Sequence, residues 1–509
     1  AIGFVCTVGL IIIAIRAIMF KYANIAKRKN KENIFIYGAD ATGISLLQLM
    51  KYNSLYNVYA LFGEKSEHNS VISGYIVNPE EKLRELSSIG NVKKIFVAND
   101  KLSLRQKLDY RNKFESLGLE VFFNELDLQA APYSVSSISN FKKIQPEDVL
   151  FRNHTQGDDD FDYTSVQGKV VLITGGGGSI GSEICNQILQ MSVEKLIILD
   201  HAEHSLYKII EQLSAQNHNI EVIPVLGSML NKNLIFEIIK RYAVQTIFHT
   251  AAYKHVPLLE ENCLQGFTNN VIGTQNLLEA LEGNNSVEVC TLISTDKAVR
   301  PKNIMGATKR LTELLFLKAH CKRTEIFNIV RFGNVISSSG SVIPKFERQV
   351  QTGGPLTITH PKVERYFLTI PEAVGLVIKS STIAKGGELF ILDMKDPVKI
   401  VDIAKRVANL YGKTAFENNE SRSKPIKSDQ IEIVYVGLRP GEKLYEELVI
   451  SGEKHPTSVA GIIEVKEAPV SLDNLNADIK ELTDYAKSGN EHLFVEKLKS
   501  LDLGYLSEH

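Results

Sequence analysis

Four apolar residues in a row, Val170–Ile173, stand between Lys169 and the pair Thr174-Gly175. A short continuous apolar run bounded by glycine predicts a strand buried on both faces, as in a parallel sheet. Comparable runs recur at Asn33–Tyr37, Tyr56–Phe62, Lys94–Val97, Glu120–Phe123, Lys195–Leu199, Glu221–Val225, Thr246–Thr250, Val289–Ser294 and Phe327–Val330. Between them lie segments of helical reading: Ile44–Tyr52, Pro79–Ile89, Ser103–Leu117, Ser182–Gln190, Asn233–Tyr242 and Ile304–Ala319. Another helix is expected to open at Asn270–Thr274. Strands alternating with helices predict parallel α/β sheets. The alternation lapses over 132–167, where Ser134–Ser139 is serine-rich and Gly157–Asp162 reads GDDDFD. This stretch is a linker between two α/β domains, 32–131 and 168–465; its aspartates are a solvated acidic loop rather than a metal site. From Lys466 to the end, mixed-charge helical text predicts a C-terminal helical tail, 466–509.

The start of the chain follows a different pattern. Ala1–Phe20 is apolar apart from Arg16, and Lys21, Lys27, Arg28, Lys29 and Lys31 follow it. About 20 apolar residues can span a bilayer, and basic flanks stay on the cytoplasmic side. A signal peptide has the reverse order, charge before apolar core. Residues 1–31 are therefore expected to be a transmembrane helix with its basic flank; a buried core helix is the alternative. The chain opens on Ala1 rather than Met, as expected for a piece of a longer protein in which this helix is the last of a membrane region.

Composition narrows the classes. Of 509 residues, 44% are hydrophobic and 23% charged, the balance of a folded globular protein of several domains. A net charge of −1 gives no global field toward nucleic acid. Five cysteines are scattered without a C-x-x-C pair, so neither a zinc site nor a disulfide framework is expected, and no metal is assigned.

Thr174, Gly175, Gly178 and Gly181 give T-G-x-x-G-x-x-G between a strand and a helix. Glycines let the backbone approach a pyrophosphate, and the helix end offers free N–H groups to it. Asp200 ends the second strand about nineteen residues later, where a carboxylate accepts ribose hydroxyls and repels a 2′-phosphate, favouring NAD over NADP. A merely structural glycine turn is the bland reading of the same residues. The small Ala251 and Ala252 let backbone lie against the cofactor. In an open α/β sheet ligands bind at the carboxyl ends of strands, which is where Thr295, Asp296 and Lys297 fall. The first domain has a looser Gly38-x-x-x-x-Gly43; it is either a second nucleotide-binding fold or a spacer without a ligand.

Five segments in order, TGGGGSIGSEI, HTAAYKHVPLLE, STDKAVRPKNIMGATKR, VRFGNVISSSGSVIPKF and GLRPGEKLYEEL, resemble the extended short-chain dehydrogenases. Within them they resemble the membrane-anchored nucleotide-sugar 4,6-dehydratases of bacterial polysaccharide and glycan biosynthesis, which act on UDP-N-acetylglucosamine. The resemblance implies two Rossmann-like, doubly wound parallel-sheet α/β domains after the transmembrane helix, and a small C-terminal substrate-binding subdomain. It implies NAD contacts at Thr174, Gly175, Gly178, Ser179, Ile180, Gly181, Asp200, Ala251, Ala252 and Lys309. Catalysis falls to Thr295, Asp296, Lys297 and Lys309: Asp296 as the acid for the C6 oxygen, a neutral Lys297 as the C5 base, Thr295 on the sugar O4. Lys297 must lose its proton to serve, through desolvation and the nearby Lys309. Substrate contacts fall to Lys254, His255, Asn334, Lys345 and Arg439, the last two on the diphosphate; Arg331 shares the loop of Asn334. A bacterial inner-membrane location with cytoplasmic soluble domains, and a homo-oligomer, are further expectations. Two residues depart from the superfamily. Met305 stands where the tyrosine of Tyr-x-x-x-Lys usually serves as acid/base, and the membrane-anchored branch shares this Met. Gly227-Ser228-Met229 stands where relatives often have Gly-Asp. A nucleotide-sugar 4-epimerase and a non-catalytic NAD or UDP-sugar scaffold remain the competing readings.

Overall fold

The computed structural model describes residues 31–52, 55–63, 67–99, 102, 104–124, 141–142, 161–216, 218–336, 338, 341–417, 429–450, 452–467, 471–501 and 503. The expected membrane helix and linker residues 132–140 and 143–160 lie outside them. Among the described residues no helix is long and apolar enough to cross a membrane. The chain forms two compact units, 1–151 with 410–412, and the remainder.

In the first unit β1 (Glu32–Tyr37) pairs in parallel with β2 (Tyr56–Phe62) and with β5 (Lys94–Val97), which pairs with β6 (Glu120–Asn124). Helices α1 (Ala41–Tyr52), α2 (Leu83–Gly90) and α3 (Leu104–Glu115) connect them. Alternation along β1 divides the core: Ile34 and Ile36 pack with Leu46 and Leu61 on one face, Phe35 and Tyr37 with Phe62 and Phe114 on the other. A short hairpin, β3 (Val71–Ile72) and β4 (Tyr75–Asn78), extends one edge, and β7 (Phe141–Lys142) closes the other. Strands of two residues such as β3 and β7 are too short to show a period, so the sequence pattern does not reveal them.

The second unit is a nine-stranded sheet. Its parallel part runs β10 (Glu221–Leu226), β9 (Lys195–Asp200), β8 (Val170–Thr174), β11 (Thr246–His249), β12 (Val289–Thr295), β13 (Ile326–Phe332) and β14 (Leu389–Leu392). Strand order reverses between β8 and β11, the switch point at which α/β sheets bind ligands. Helices α4 (Ser179–Ile188), α5 (Glu203–Ser214), α6 (Lys232–Tyr242), α7 (Ile304–His320) and α8 (Ile370–Ile383) cover the two faces. Every residue of β8 is buried, whereas the edge strand β10 has only exposed and half-buried positions. Two antiparallel strands absent from the sequence reading, β15 (Gly452–Pro456) and β16 (Ile462–Glu467), complete the sheet beyond β14.

The segment after residue 466 is part of this core. Helices α9 (Leu475–Ser488) and α10 (Glu491–Ser500) bury Leu475, Ile479, Leu482, Phe494 and Leu498, with Phe494 edge-on to Phe267 at 5.2 Å. At the other end Val166 is fully buried and Ser165 bonds Ser381, so packing of this unit begins before Gly168. A smaller layer holds the helix Val342–Gln351 and three parallel strands, Leu356–Ile358, Gln430–Tyr435 and Thr414–Glu417.

Candidate active site

The glycine turn is a cradle with little spare room. Gly175 has φ +71°, its N–H donates to Leu199 O at 2.7 Å, and a Cβ there would lie 2.7 Å from Ala251 Cα. Helix α4 begins at Ser179, three residues before the expected Ser182, with Gly178 as its N-cap and no side chain capping it. Gly181 therefore sits in the first turn, where a Cβ would run into the Gly175 carbonyl oxygen. Uncapped N–H groups at a helix start suit an anion. Asp200 Oδ2 accepts from Gly177 N at 2.9 Å and Oδ1 from Ala202 N at 2.8 Å, which fixes the carboxylate at the end of β9. Gly175, Gly178, Ser179, Ile180, Gly181 and Asp200 all line one cavity. Thr174 does not. It is fully buried, and its hydroxyl bonds His249 Nδ1 at 2.8 Å, because the last residue of β8 turns toward β11. His249 Nε2 meets Thr274 Oγ1 at 2.9 Å, and burial, aided by Lys309, pushes its pKa down to about 3. This histidine is a neutral tie between elements.

The loop after β11 brings Ala251, Ala252, Lys254 and His255 to the same cavity. Asn270 holds that loop: Oδ1 accepts from Tyr253 N at 2.7 Å, and Nδ2 donates to Tyr253 O and Thr308 Oγ1, both at 3.0 Å. Asn270 does not open a helix as expected. It lies inside one, in a π turn (Thr268–Ile272) between Cys263–Phe267 and Gly273–Ala280, a deformation often found beside sites. The sequence shows the pair Asn269-Asn270 but no local pattern that says Asn270 lies buried in mid-helix.

At the carboxyl end of β12 the chemistry-bearing side chains gather. Thr295, Lys297, Met305, Lys309 and Asn334 line the cavity. Lys297 Nζ lies 3.0 Å from Asp296 Oδ1, 3.1 Å from Asn334 Oδ1 and 3.6 Å from Glu446 Oε1. Thr295 Oγ1 donates to Asp296 Oδ1 at 2.9 Å. Two expectations change here. Asp296 is fully buried behind Thr295 and Lys297 rather than facing the cavity, and its Oδ2 has no hydrogen-bond partner. Lys297 is not tuned toward neutrality: burial pulls its pKa down, but the Asp296 and Glu446 carboxylates outweigh that and hold it above the ordinary value. The amine that is lowered is Lys309, which burial brings to about 8 against the opposing pull of Glu313; its Nζ donates to Ile293 O at 2.7 Å.

The far wall comes from the smaller layer and the loop before β15. Lys345 and Arg439 line the cavity, and burial together with Arg439 lowers the Lys345 pKa. Arg365 anchors this loop, donating to Leu444 O at 3.2 Å and to Lys443 O at 2.8 Å, with Nε 3.6 Å from Glu446 Oε1. Arg331, expected beside the ligands, is instead fully buried. It donates to Glu313 at 2.7 Å and 2.6 Å and also binds Glu467, while Arg310 meets the same two carboxylates at 2.9 Å and 3.0 Å. Ser294 Oγ joins Glu313 at 2.6 Å. This network ties β12, β13, β16 and α7 together beneath the site. It holds the Glu313 carboxyl at about 2: burial pushes it up, and Arg331, Arg310 and Ser294 overcome that.

The cavity has a volume of about 1020 Å³ and runs from the glycine cradle past Lys297 to Arg439. A family model described as polysaccharide biosynthesis protein matches residues 171–467, more than half of the chain. The chain belongs to this family. CapD, a capsular polysaccharide biosynthesis protein of Staphylococcus aureus, is 39% identical over 441 residues, which cover 84% of this chain and 70% of CapD. A UDP-glucose 4-epimerase of Rickettsia bellii is 31% identical over 359 residues, 67% of this chain and 97% of that one. The crystal structure of Pen from Bacillus thuringiensis matches with a TM-score of 0.52 and 30% identity, over 60% of this chain and 92% of Pen. The stretch matched by the polysaccharide biosynthesis family ends at Glu467, the carboxylate that completes the buried network around Arg331, and it contains every cavity residue named above.

Proposed function

We propose that this family member is an NAD-dependent UDP-N-acetylglucosamine 4,6-dehydratase. It makes a UDP-4-keto-6-deoxy-N-acetylhexosamine for bacterial polysaccharide or glycan synthesis. The observation that carries this reading is the Thr295-Asp296-Lys297 cluster, with a lysine bound to two carboxylates, in the same cavity as the glycine cradle. The cradle supports NAD: Gly175 and Gly181 leave no room for a side chain, no side chain caps the start of α4, and the Asp200 carboxylate is fixed beside them at the end of β9. Bound NAD supplies a hydride acceptor for C4 that gives the same hydride back to C6.

The protein's own side chains do the rest. Thr295 holds the sugar O4. Lys297 takes the C5 proton once the 4-ketone has acidified it, and the C6 hydroxyl leaves as water with the proton that O4 gave up when C4 was oxidised. Asp296 orients both through Oδ1 rather than meeting the sugar, since it has no exposed surface. Lys309, one helical turn after Met305, holds the nicotinamide ribose. Lys345 and Arg439 pair with the diphosphate, where two cations share the dianion. Attachment to the bacterial inner membrane through residues 1–31, with the soluble domains in the cytoplasm, and self-association belong to the same proposal.

Incubation with UDP-N-acetylglucosamine and mass analysis of the product tests it. Loss of one water is the expected result. The Rickettsia relative supports a second reading, 4-epimerisation, which would leave the mass unchanged and invert C4. Absence of turnover would favour a non-catalytic scaffold.

A further inference from the structure

Glu446 lies in the loop before β15, remote in sequence from the strand-end cluster, yet its carboxylate reaches that cluster. Its side chain is 3% exposed, it lines the cavity, and Oε1 stands 3.6 Å from both Lys297 Nζ and Arg365 Nε. Oε2 is buried without a hydrogen-bond partner. A carboxylate oxygen left bare costs free energy unless it has work to do.

We propose that Glu446 is the proton partner of Lys297, taking one of its ammonium protons so that a neutral amine meets the sugar. The inference rests on the dehydratase reading and adds to it a positioning residue that acts through Lys297. The step balances within the pair. One Lys297 N–H bond breaks and an O–H bond forms on Glu446, so ammonium and carboxylate become amine and carboxylic acid with no change in net charge. A closed, desolvated cavity favours the neutral pair, because separated charges are costly there. The freed lone pair then bonds the C5 proton while the C5–H electrons pass into the enolate. When Lys297 later returns a proton to C5, Glu446 hands its own back, and the site is restored.

The charged groups that face this pair are known from every side. Asp296 approaches Lys297 from β12, Arg365 from the strand Glu364–Arg365, and Lys443 from the same loop as Glu446. Of these only Asp296 and Glu446 favour the ammonium, so removing Glu446 has a defined sign. An opposite charge within a few ångströms shifts a pKa by about 1–3.

The test is competitive acetylation of Lys297 with acetic anhydride across pH, read by peptide mass spectrometry on the full chain. It is paired with C5 hydrogen exchange of UDP-N-acetylglucosamine in heavy water. In Glu446→Gln the labelling midpoint should fall by about one pH unit or more. C5 exchange at neutral pH should fall ~10-fold or more, because Lys297 has lost the base that takes its proton, and Glu446→Asp should recover most of the midpoint and part of the exchange. An unmoved midpoint overturns the proposal, and so does a moved midpoint with exchange unchanged or faster at neutral pH, the pattern of a partner that only holds the ammonium. A melting temperature unchanged in Glu446→Gln separates these results from misfolding; if that variant unfolds, Glu446→Ala, which removes the carboxylate without leaving a buried amide, takes its place with the same expected and overturning outcomes. Wild-type protein that shifts its midpoint with Glu446 but exchanges no C5 hydrogen would sink the dehydratase reading and not the pairing.

Discussion

The two units build the same turn and use it differently. Gly38 and Gly175 each follow the first strand with positive φ, and each donates its N–H to the end of the second strand, Phe62 O at 2.9 Å and Leu199 O at 2.7 Å. Gly43 and Gly181 each press a helix turn against the first glycine's carbonyl, where a Cβ would not fit. The difference lies in what occupies the helix start. In the first unit Asp40 caps α1, its Oδ1 accepting from Gly43 N at 3.0 Å. A carboxylate at that place satisfies a donor and repels a second anion. In the second unit α4 has no side-chain cap, and the carboxylate comes from Asp200 on the neighbouring strand. The strand registers, Tyr37 with Phe62 and Thr174 with Leu199, put Gly63 where the second unit has Asp200. The two turns share their backbone and differ in whether a carboxylate already occupies the helix start.

The sharpest way to break this comparison is to fill both turns. Gly175→Ala drives a methyl into the Ala251 backbone in a conformation that L-residues avoid, and should cost ~3 kcal/mol or more in cofactor binding, on the order of 100-fold. Gly38→Ala strains its own unit alike but should leave the NAD content of the purified chain unchanged. Cofactor released by acid and quantified by absorbance checks both; NAD lost from the Gly38 variant would put a second site in the first unit.

A smaller effect is expected at the acid. Asp200→Asn keeps the shape and loses the charge, so NAD affinity should fall ~10- to 100-fold, in line with ~1.5–3 kcal/mol for a charged hydrogen bond. NADP should gain relative to NAD. Titration calorimetry with both dinucleotides measures the ratio, and an unchanged preference would remove Asp200 from the ribose.

Stability against pH isolates the second unit. Lys309 has a folded pKa near 8, below the ordinary lysine value of 10.5. Below about 8 the amine is charged folded and unfolded, and its burial cost stands in full. Between the two values only the unfolded chain binds the proton, so the Lys309 contribution to stability rises with pH through that window. Urea midpoints should show this rise in wild type and lose it in Lys309→Met. A rise of equal slope in the variant would assign it elsewhere.

The smallest effect is Asp40→Ala. Loss of an N-cap costs about 1 kcal/mol, confined to the first unit, with turnover unchanged. Hydrogen exchange should show the loss in α1 amides; a change in turnover would mean that the first unit acts on the site.

What could be read from the sequence follows from range. The β8–turn–α4 unit was legible because a buried apolar run, three glycines and an acid at fixed spacing are all local. The helix start was missed by three residues because Gly181, a poor helix former, sits in the first turn for the sake of close packing. Asp296 was placed on the right strand end, but which of two neighbouring side chains faces the cavity changes with a single residue of register. Glu446 lies in the segment GLRPGEKLYEEL, but its approach to Lys297 is not visible in the sequence because no local pattern links residues so far apart. Arg331 was misplaced for the same reason: its partners Glu313 and Glu467 come from α7 and β16, and only the fold brings them together.

That buried arginine also bears on how the protein is made. Arg331 and Glu467 are separated by 136 residues. A ribosome adding ~5–20 residues per second exposes the guanidinium roughly 7–27 s before its second carboxylate exists. During that interval Glu313 is its sole anionic partner from this network, and the edge of β14 has no β16 to cover it. The nascent chain passes through a period in which the second unit is open along one side, a natural point for a chaperone to hold it.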